Sequence, residues 1–289
     1  MGDAPRAAIL NDRAILAMWG PDRVKFLQGL VTNDVRRLAP QGPIYAGILS
    51  GHGKLVTDVF LIEDGERILI DVAASHVEEL LRRLARFRLG AQVEFGPAEP
   101  VLAVAVLWGS DAQGLAAGAV RHAFADPRLR ELGVRLVYPQ GAPIDQELEG
   151  LGVLLADARD YAARRLSLGV AETAELGQEA FYPLEANFEG LNGIDFKKGC
   201  YVGQELTARM HLKSGLRQRL LPVTGREALP QPGSSVTSAD RAPLGTLVLS
   251  SGARGLAMIR LDRLAAARED DLLAGLIPIS VRWPSWLAR

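Results

Sequence analysis

The stretch Lys197-Lys198-Gly199-Cys200-Tyr201-Val202-Gly203-Gln204-Glu205 sets the only cysteine of the chain between two glycines and ahead of a run of good helix formers. Upstream lie Phe181-Tyr182-Pro183-Leu184-Glu185-Ala186-Asn187 and Gly193-Ile194-Asp195-Phe196. Gly190, Gly193, Gly199 and Gly203 permit left-handed turns or close backbone approach, which a packed scaffold seldom needs in such number. The pattern predicts a shaped loop against a helix start, with the helix running from Gln204 to about Leu212. Cys200 then lies just before a helix N-terminus with Lys197 and Lys198 behind it, and both the helix dipole and the ammonium groups favour thiolate over thiol. A lone intracellular cysteine also commonly serves as a small buried apolar residue, and spacing alone leaves both readings open.

Outward from this stretch the patterning is mixed. Pro21 to Leu38 opens with proline and spaces Val24, Leu27 and Val31 on one face, which predicts a short amphipathic helix. From Ile44 to Val72 the period becomes two. Leu55, Thr57, Val59 and Leu61 share a face, Lys54 and Asp58 lie on the other, and Asp64-Gly65 marks a hairpin turn. Ser75 and Glu78 form a capping box before Val77, Leu80, Leu81, Leu84 and Phe87 at helical spacing. Val101 to Leu107 and Val134 to Tyr138 read as strands, and Asp160 as the cap of a helix through Leu168. From about Leu220, short strand-like runs at Leu244–Leu249, Gly255–Ile259 and Pro278–Trp283 alternate with Gly/Pro turns, as in a small closed antiparallel barrel whose core Trp283 and Trp286 help to close. The class is α+β, without regular βαβ alternation.

The chain has 289 residues, 48% hydrophobic and 23% charged, with a formal net charge of -1. That balance belongs to an ordinary globular protein of two or three structural units. No overall positive field draws in a nucleic acid or an anionic membrane surface. The longest apolar run, Val101 to Trp108, is far short of the roughly 20 residues that span a bilayer. The start, Met1 to Ile15, carries Asp3 and Asp12 and shows neither a signal-peptide nor a transit pattern, so it is expected to be retained. A single cysteine excludes an internal disulfide and suits a reducing compartment, and bacterial cytoplasm is the expected location.

Lys198 to Glu205 resembles the signature octapeptide of the YgfZ/GcvT-like folate-binding family, whose members are similar in fold to the T-protein of the glycine cleavage system. The likeness continues in Phe26-Leu27-Gln28-Gly29-Leu30-Val31-Thr32-Asn33-Asp34-Val35, in Gly51-His52-Gly53-Lys54, and from Pro183-Leu184-Glu185 to Arg217-Gln218-Arg219-Leu220. It implies a folate-binding region of antiparallel sheets with flanking helices over residues 1–215, built of two interleaved α+β subdomains, and a barrel over 216–289. Tetrahydrofolate is then the implied cofactor, and a role in making or maintaining iron-sulfur proteins the implied function, with Cys200 the residue on which activity depends. Leu206-Thr207-Ala208-Arg209 looks especially like the mitochondrial branch that helps mature four-iron clusters with an A-type scaffold partner.

Iron-sulfur centres usually take about four protein ligands, so a cluster on Cys200 must be transient and shared with a partner. Lys198 is expected to tune the thiolate, Gly199 and Gly203 to shape the loop, and Tyr201, Gln204 and Glu205 to line or anchor it. Arg217 and Arg219 have the chemistry for folate's glutamate tail. His52, His76, His122 and His211 read as surface or capping residues. The enzyme alternative is a tetrahydrofolate-dependent aminomethyltransferase. It requires a carboxylate near the folate nitrogen. Where the T-protein has paired aspartates this chain has Thr57-Asp58, and Ser167 stands at the place of its pterin-binding glutamate. Asp58 then reads either as the surviving acid or as a solvent-facing strand residue. A third alternative is a non-catalytic folate-binding module in which Cys200 only packs.

Overall fold

The period-two patterning expected from Ile44 to Val72 becomes three of the ten strands that form two five-stranded sheets. The computed structural model describes residues 4–116, 122–267 and 271–288, which fall into two units. The first comprises Met1–Leu49, Val56–Tyr161 and Leu191–Val202, and the second Ser50–Leu55, Ala162–Gly190 and Gly203–Arg289. Residues 1–3 of the expected N-terminal segment, and residue 289 at the other end, lie outside the described residues. The boundary expected at 215/216 falls inside the second unit.

In the first unit one sheet runs, in spatial order, β10 (Leu154–Leu155), β1 (Arg6–Ile9), β7 (Leu102–Trp108), β9 (Val134–Pro139) and β8 (His122–Ala125). The other runs β3 (Ile44–Leu49), β4 (Leu55–Asp64), β5 (Arg67–Ala73), β2 (Arg13–Trp19) and β6 (Glu94–Pro97). Ala8, Val104, Val106 and Trp108 from the first sheet meet Ile15, Ala17, Ile62 and Leu69 from the second in one buried layer. Phe26 and Leu27 of the Arg23–Gln28 helix, with Leu80 and Leu84 of the Val77–Phe87 helix, cover the outer face of the second sheet. Ile144 and Leu148 of the Ile144–Gly150 helix, with Ala112 and Ala116, cover that of the first. The result is a helix, sheet, sheet, helix stack in which central strands are buried on both sides.

That stacking corrects several sequence expectations. Asp58 does not face solvent: β4 is covered on both faces and Asp58 is 0% exposed. The helix expected over Pro21–Leu38 ends at Gln28, because Thr32 and Asn33 use their side chains on backbone groups outside any helix. The Ser75–Glu78 capping box is absent. His76 occupies the N-cap, with no side-chain cap bond. The Ala158–Leu168 helix is opened by Asp157, whose carboxylate accepts from the Arg159 N–H at 2.8 Å, and Asp160 lies inside it.

In the second unit β11 (Gln218–Gly225), β12 (Ser235–Ser238), β13 (Pro243–Ser251), β14 (Arg254–Arg260), β15 (Leu272–Ala274) and β16 (Ile277–Val281) close into a barrel in the order β11-β14-β13-β12-β15-β16. Closure leaves no unpaired sheet edge. Leu221, Val223, Leu247, Ala257 and Ile259 fill its core, with Trp283 and Trp286 packed against it. Both indoles are satisfied as donors, Trp283 to Leu287 O at 2.8 Å and Trp286 to Leu168 O at 2.9 Å.

Charge is buried in the first unit in paired form, three arginines around two aspartates. Asp71 on β5 accepts from Arg13 Nε at 2.7 Å and from Arg135 Nε at 3.1 Å, so one carboxylate ties β2 of one sheet to β9 of the other. Asp126 accepts from Arg128 Nε at 3.0 Å and Nη2 at 2.8 Å. The Arg135, Arg128 and Arg13 guanidinium carbons lie 4.0, 4.9 and 5.7 Å from the centroid of the Phe60 ring, so π-electrons share the solvation of all three cations. Replacing one ion of such a group leaves the others uncompensated. Asp71→Asn is therefore expected to cost about 3–5 kcal/mol of unfolding free energy in urea titrations. A loss below about 0.5 kcal/mol, the size of an ordinary surface change, would show that the arginines are satisfied elsewhere.

Candidate functional site

The segment Leu191–Val202 belongs to the first unit and is held there by the residues just after the Arg23–Gln28 helix. Thr32 Oγ1 donates to Gly193 O at 2.5 Å and accepts from the Gly47 N–H at 2.7 Å. Asn33 Nδ2 donates to Asn192 O at 2.7 Å and to Tyr45 O at 2.8 Å. The Asp195 N–H donates to Thr32 O at 3.0 Å, and the Val202 N–H to Gly29 O at 3.0 Å. Gln28 Nε2 donates to Lys198 O at 3.1 Å. The sequence signal for this role is the polar trio Thr32-Asn33-Asp34, which interrupts an apolar helical period.

Within this frame Cys200 is exposed, as is Gly199, whereas Lys198 and Tyr201 on either side are buried. The reading of Cys200 as a small buried apolar residue is thereby excluded. Lys198 turns inward: its ammonium donates to Gln28 O at 2.7 Å and to Val31 O, and lies 4.8 Å from the Tyr201 ring centroid. Burial lowers its pKa to about 8, against the opposing pull of the Asp34 and Asp195 carboxylates. Lys198 thus serves first the carbonyls at the end of the Arg23–Gln28 helix. Asp34, in turn, is held at a pKa of about 2, chiefly by its hydrogen bond from Arg36. Gly199 has φ +98 with open space where a Cβ would stand, so its constraint is conformational.

The remaining octapeptide residues belong to the second unit. Gly203, at φ +80, forms the left-handed N-cap of the Gln204–Arg209 helix, which continues as a π-turn over Met210–Ser214. Gln204 is half-buried, and Glu205 is exposed in the first turn, where its charge complements the helix dipole. Gly53 backs this helix: a Cβ there would stand 3.0 Å from Gly203 O and 3.1 Å from Leu206 Cβ. The neighbouring Lys54 ammonium lies 5.7 Å from the Tyr182 ring centroid. Arg217 is exposed, while Arg219 is buried beside Trp283. His211 lies 3.3 Å from Glu189.

Asp58 lies in the first unit beside a pair that sequence reasoning missed. His76 Nδ1 and Thr57 Oγ1 are 2.9 Å apart, and all three residues are buried. Burial pushes the His76 imidazole below its usual 6.5, Asp58 opposes the shift, and Arg13 adds to it.

Residues 217–289 match the family model described as CAF17, C-terminal beta-barrel domain. The human iron-sulfur cluster assembly factor IBA57, mitochondrial, is 33% identical over 279 residues, covering 88% of this chain and 77% of that protein. The chain belongs to the iron-sulfur cluster assembly factor IBA57 family. An IBA57 homolog from Mycosarcoma maydis is 33% identical over 251 residues, 82% of this chain, and the chain spans 61% of that relative's length. Among solved structures, glycine cleavage system aminomethyltransferase T from Bartonella henselae has a TM-score of 0.77 at 14% identity, covering 98% of this chain and 86% of that one. The aminomethyltransferase fold is therefore shared. The expected GcvT-like fold is present, and the family placement is with the IBA57 relatives. Their names carry the word mitochondrial, which overturns the expected bacterial cytoplasmic location.

The His76 environment has a measurable consequence. With its folded pKa below that of the unfolded chain, acidification loads a proton onto the unfolded state first. The stability His76 contributes is present above pH 6.5 and lost as pH falls through its lower folded value. His76→Gln, which keeps a polar partner for Thr57, is expected to flatten that part of the stability profile in urea titrations between pH 7 and the acid limb. An unchanged slope would mean that other groups control it.

Proposed function

We propose that this IBA57-family chain is an iron-sulfur cluster assembly factor in which Cys200 supplies one ligand to a transient cluster shared with a scaffold partner of the A type, on the way to four-iron client proteins. The observation that carries the reading is the exposure of the chain's only cysteine on a loop whose flanks are hydrogen-bonded into the first unit. One thiolate falls short of the roughly four ligands a cluster takes. Among the described residues no group of three or more His, Cys, Asp or Glu is placed to hold a metal ion. The missing ligands must then come from elsewhere, and exposure is the condition for sharing. A YgfZ-like role in cluster repair belongs to the same proposal.

Tetrahydrofolate was the implied cofactor, and the transferase alternative needs it. Asp58, the surviving acid, is 0% exposed, and the Ser167 hydroxyl donates to Arg164 O of its own helix at 2.8 Å. Neither offers a pterin the paired carboxylate contacts of the T-protein pattern, so these residues do not fit the group.

Complementation of a strain lacking the factor tests the proposal, with a four-iron dehydratase as readout. Wild type is expected to restore its activity, while Cys200→Ser, folded by circular dichroism, leaves it at the level of the empty strain. Equal rescue by both would reject a ligand role for the Cys200 sulfur.

A further inference from the structure

Both ends of the Gly199-Cys200-Tyr201 arch are tied to two consecutive residues at the end of one helix. Gln28 Nε2 donates to Lys198 O at 3.1 Å ahead of the arch, and Gly29 O accepts from the Val202 N–H at 3.0 Å behind it. Gln28 is itself over-determined. Its Nε2 also donates to Asp34 Oδ1 at 3.0 Å, its Oε1 accepts from the Val35 N–H at 2.8 Å, and its main-chain oxygen accepts from the Lys198 ammonium at 2.7 Å. A glutamine bonded at both ends of its amide has one orientation available, so the carbonyl it holds is fixed with it. Tyr201 is 8% exposed, which leaves Gly199 and Cys200 as the exposed residues of the arch.

We infer that Gln28 is the positioning residue for Cys200: its side-chain amide fixes the loop from which the sulfur is presented to a shared cluster. This rests on the proposed role of Cys200 and adds to it a named residue whose sole action is through another. Ligand sharing across two proteins tolerates little wander, since a ligand has to be held within about 0.5 Å of productive geometry. An exposed loop without such ties would sample many sulfur positions.

The test uses the full chain and two variants. Gln28→Ala deletes all three side-chain bonds. Gln28→Glu keeps the shape and, when ionised, has no donor for Lys198 O, whereas its protonated form regains one O–H. Hydrogen exchange is followed by mass spectrometry in residues 196–202 and, as a folding control, in β11, with rates normalised to the unstructured peptide at each pH. Losing these bonds is expected to raise exchange in 196–202 about tenfold, the factor that one net hydrogen bond represents, with β11 unchanged. Gln28→Glu is expected to recover protection on acidification and Gln28→Ala not to, a pH dependence that mere loss of packing does not produce. Dehydratase rescue is expected to fall for both at neutral pH. Wild-type protection in both variants, or full rescue by both while Cys200→Ser fails, would overturn the inference and leave the role of Cys200 standing. Full rescue by Cys200→Ser would overturn both, and the exchange data would still report whether Gln28 holds the loop.

Discussion

Hydrogen-bond satisfaction at one bend, Gln28 to Asp34, is the constraint on which the first unit's presentation of sulfur depends. A returning segment enters this unit at Leu191 and leaves it at Val202, and its backbone carries buried polar groups with no strand partner in either sheet. Buried backbone groups without partners cost about 1–3 kcal/mol each. Gly193 O, Asn192 O, the Asp195 N–H, Lys198 O and the Val202 N–H all find theirs on Gln28, Gly29, Thr32 or Asn33. Ending the helix at Gln28 is what frees those groups to bond outward.

The same unit solves a second polar problem beneath its sheets. Three arginines and the carboxylates of Asp71 and Asp126 stand around Phe60 with almost no exposure. Such a group adds little to stability over an apolar core of equal volume, yet it penalises any packing that separates its members. Because Arg13 and Arg135 come from different sheets and share one carboxylate, the group fixes the register of the two layers. Asp58 sits on β4 with Phe60, a strand buried on both faces, which explains why a residue with the alternation of a surface acid is inside.

Most of the architecture was legible. The period-two run at Leu55–Leu61 became β4, the continuous apolar run Val101–Leu107 became β7, the Gly/Pro-punctuated C-terminal runs became the barrel, and helical spacing from Val77 to Phe87 held. What escaped was set by tertiary partners. Pro21–Leu38 has helical apolar spacing, but the helix stops because Thr32 and Asn33 answer to Gly193 and Asn192, some 160 positions away. Lys198 read as a cation for the neighbouring thiol, and only the structure shows its ammonium committed to Gln28 and Val31. The octapeptide located the cysteine correctly as an accessible residue, while the means of holding it was visible only as an unexplained polar trio.

Exposure and fixity ordinarily oppose one another, since a loop that leaves the core loses the bonds that order it. At Cys200 they coexist because the anchoring is done by the flanks. Lys198 and Tyr201 are buried, Gly199 supplies a left-handed turn that a residue with a Cβ adopts only under strain, and the sulfur occupies the short exposed span between. A thiol meant to pack would need no such arrangement, and a thiol meant to hold a cluster alone would need companions on its own chain. A single cysteine fixed at its flanks and facing solvent fits the proposed role of one ligand to a centre whose other ligands come from another molecule.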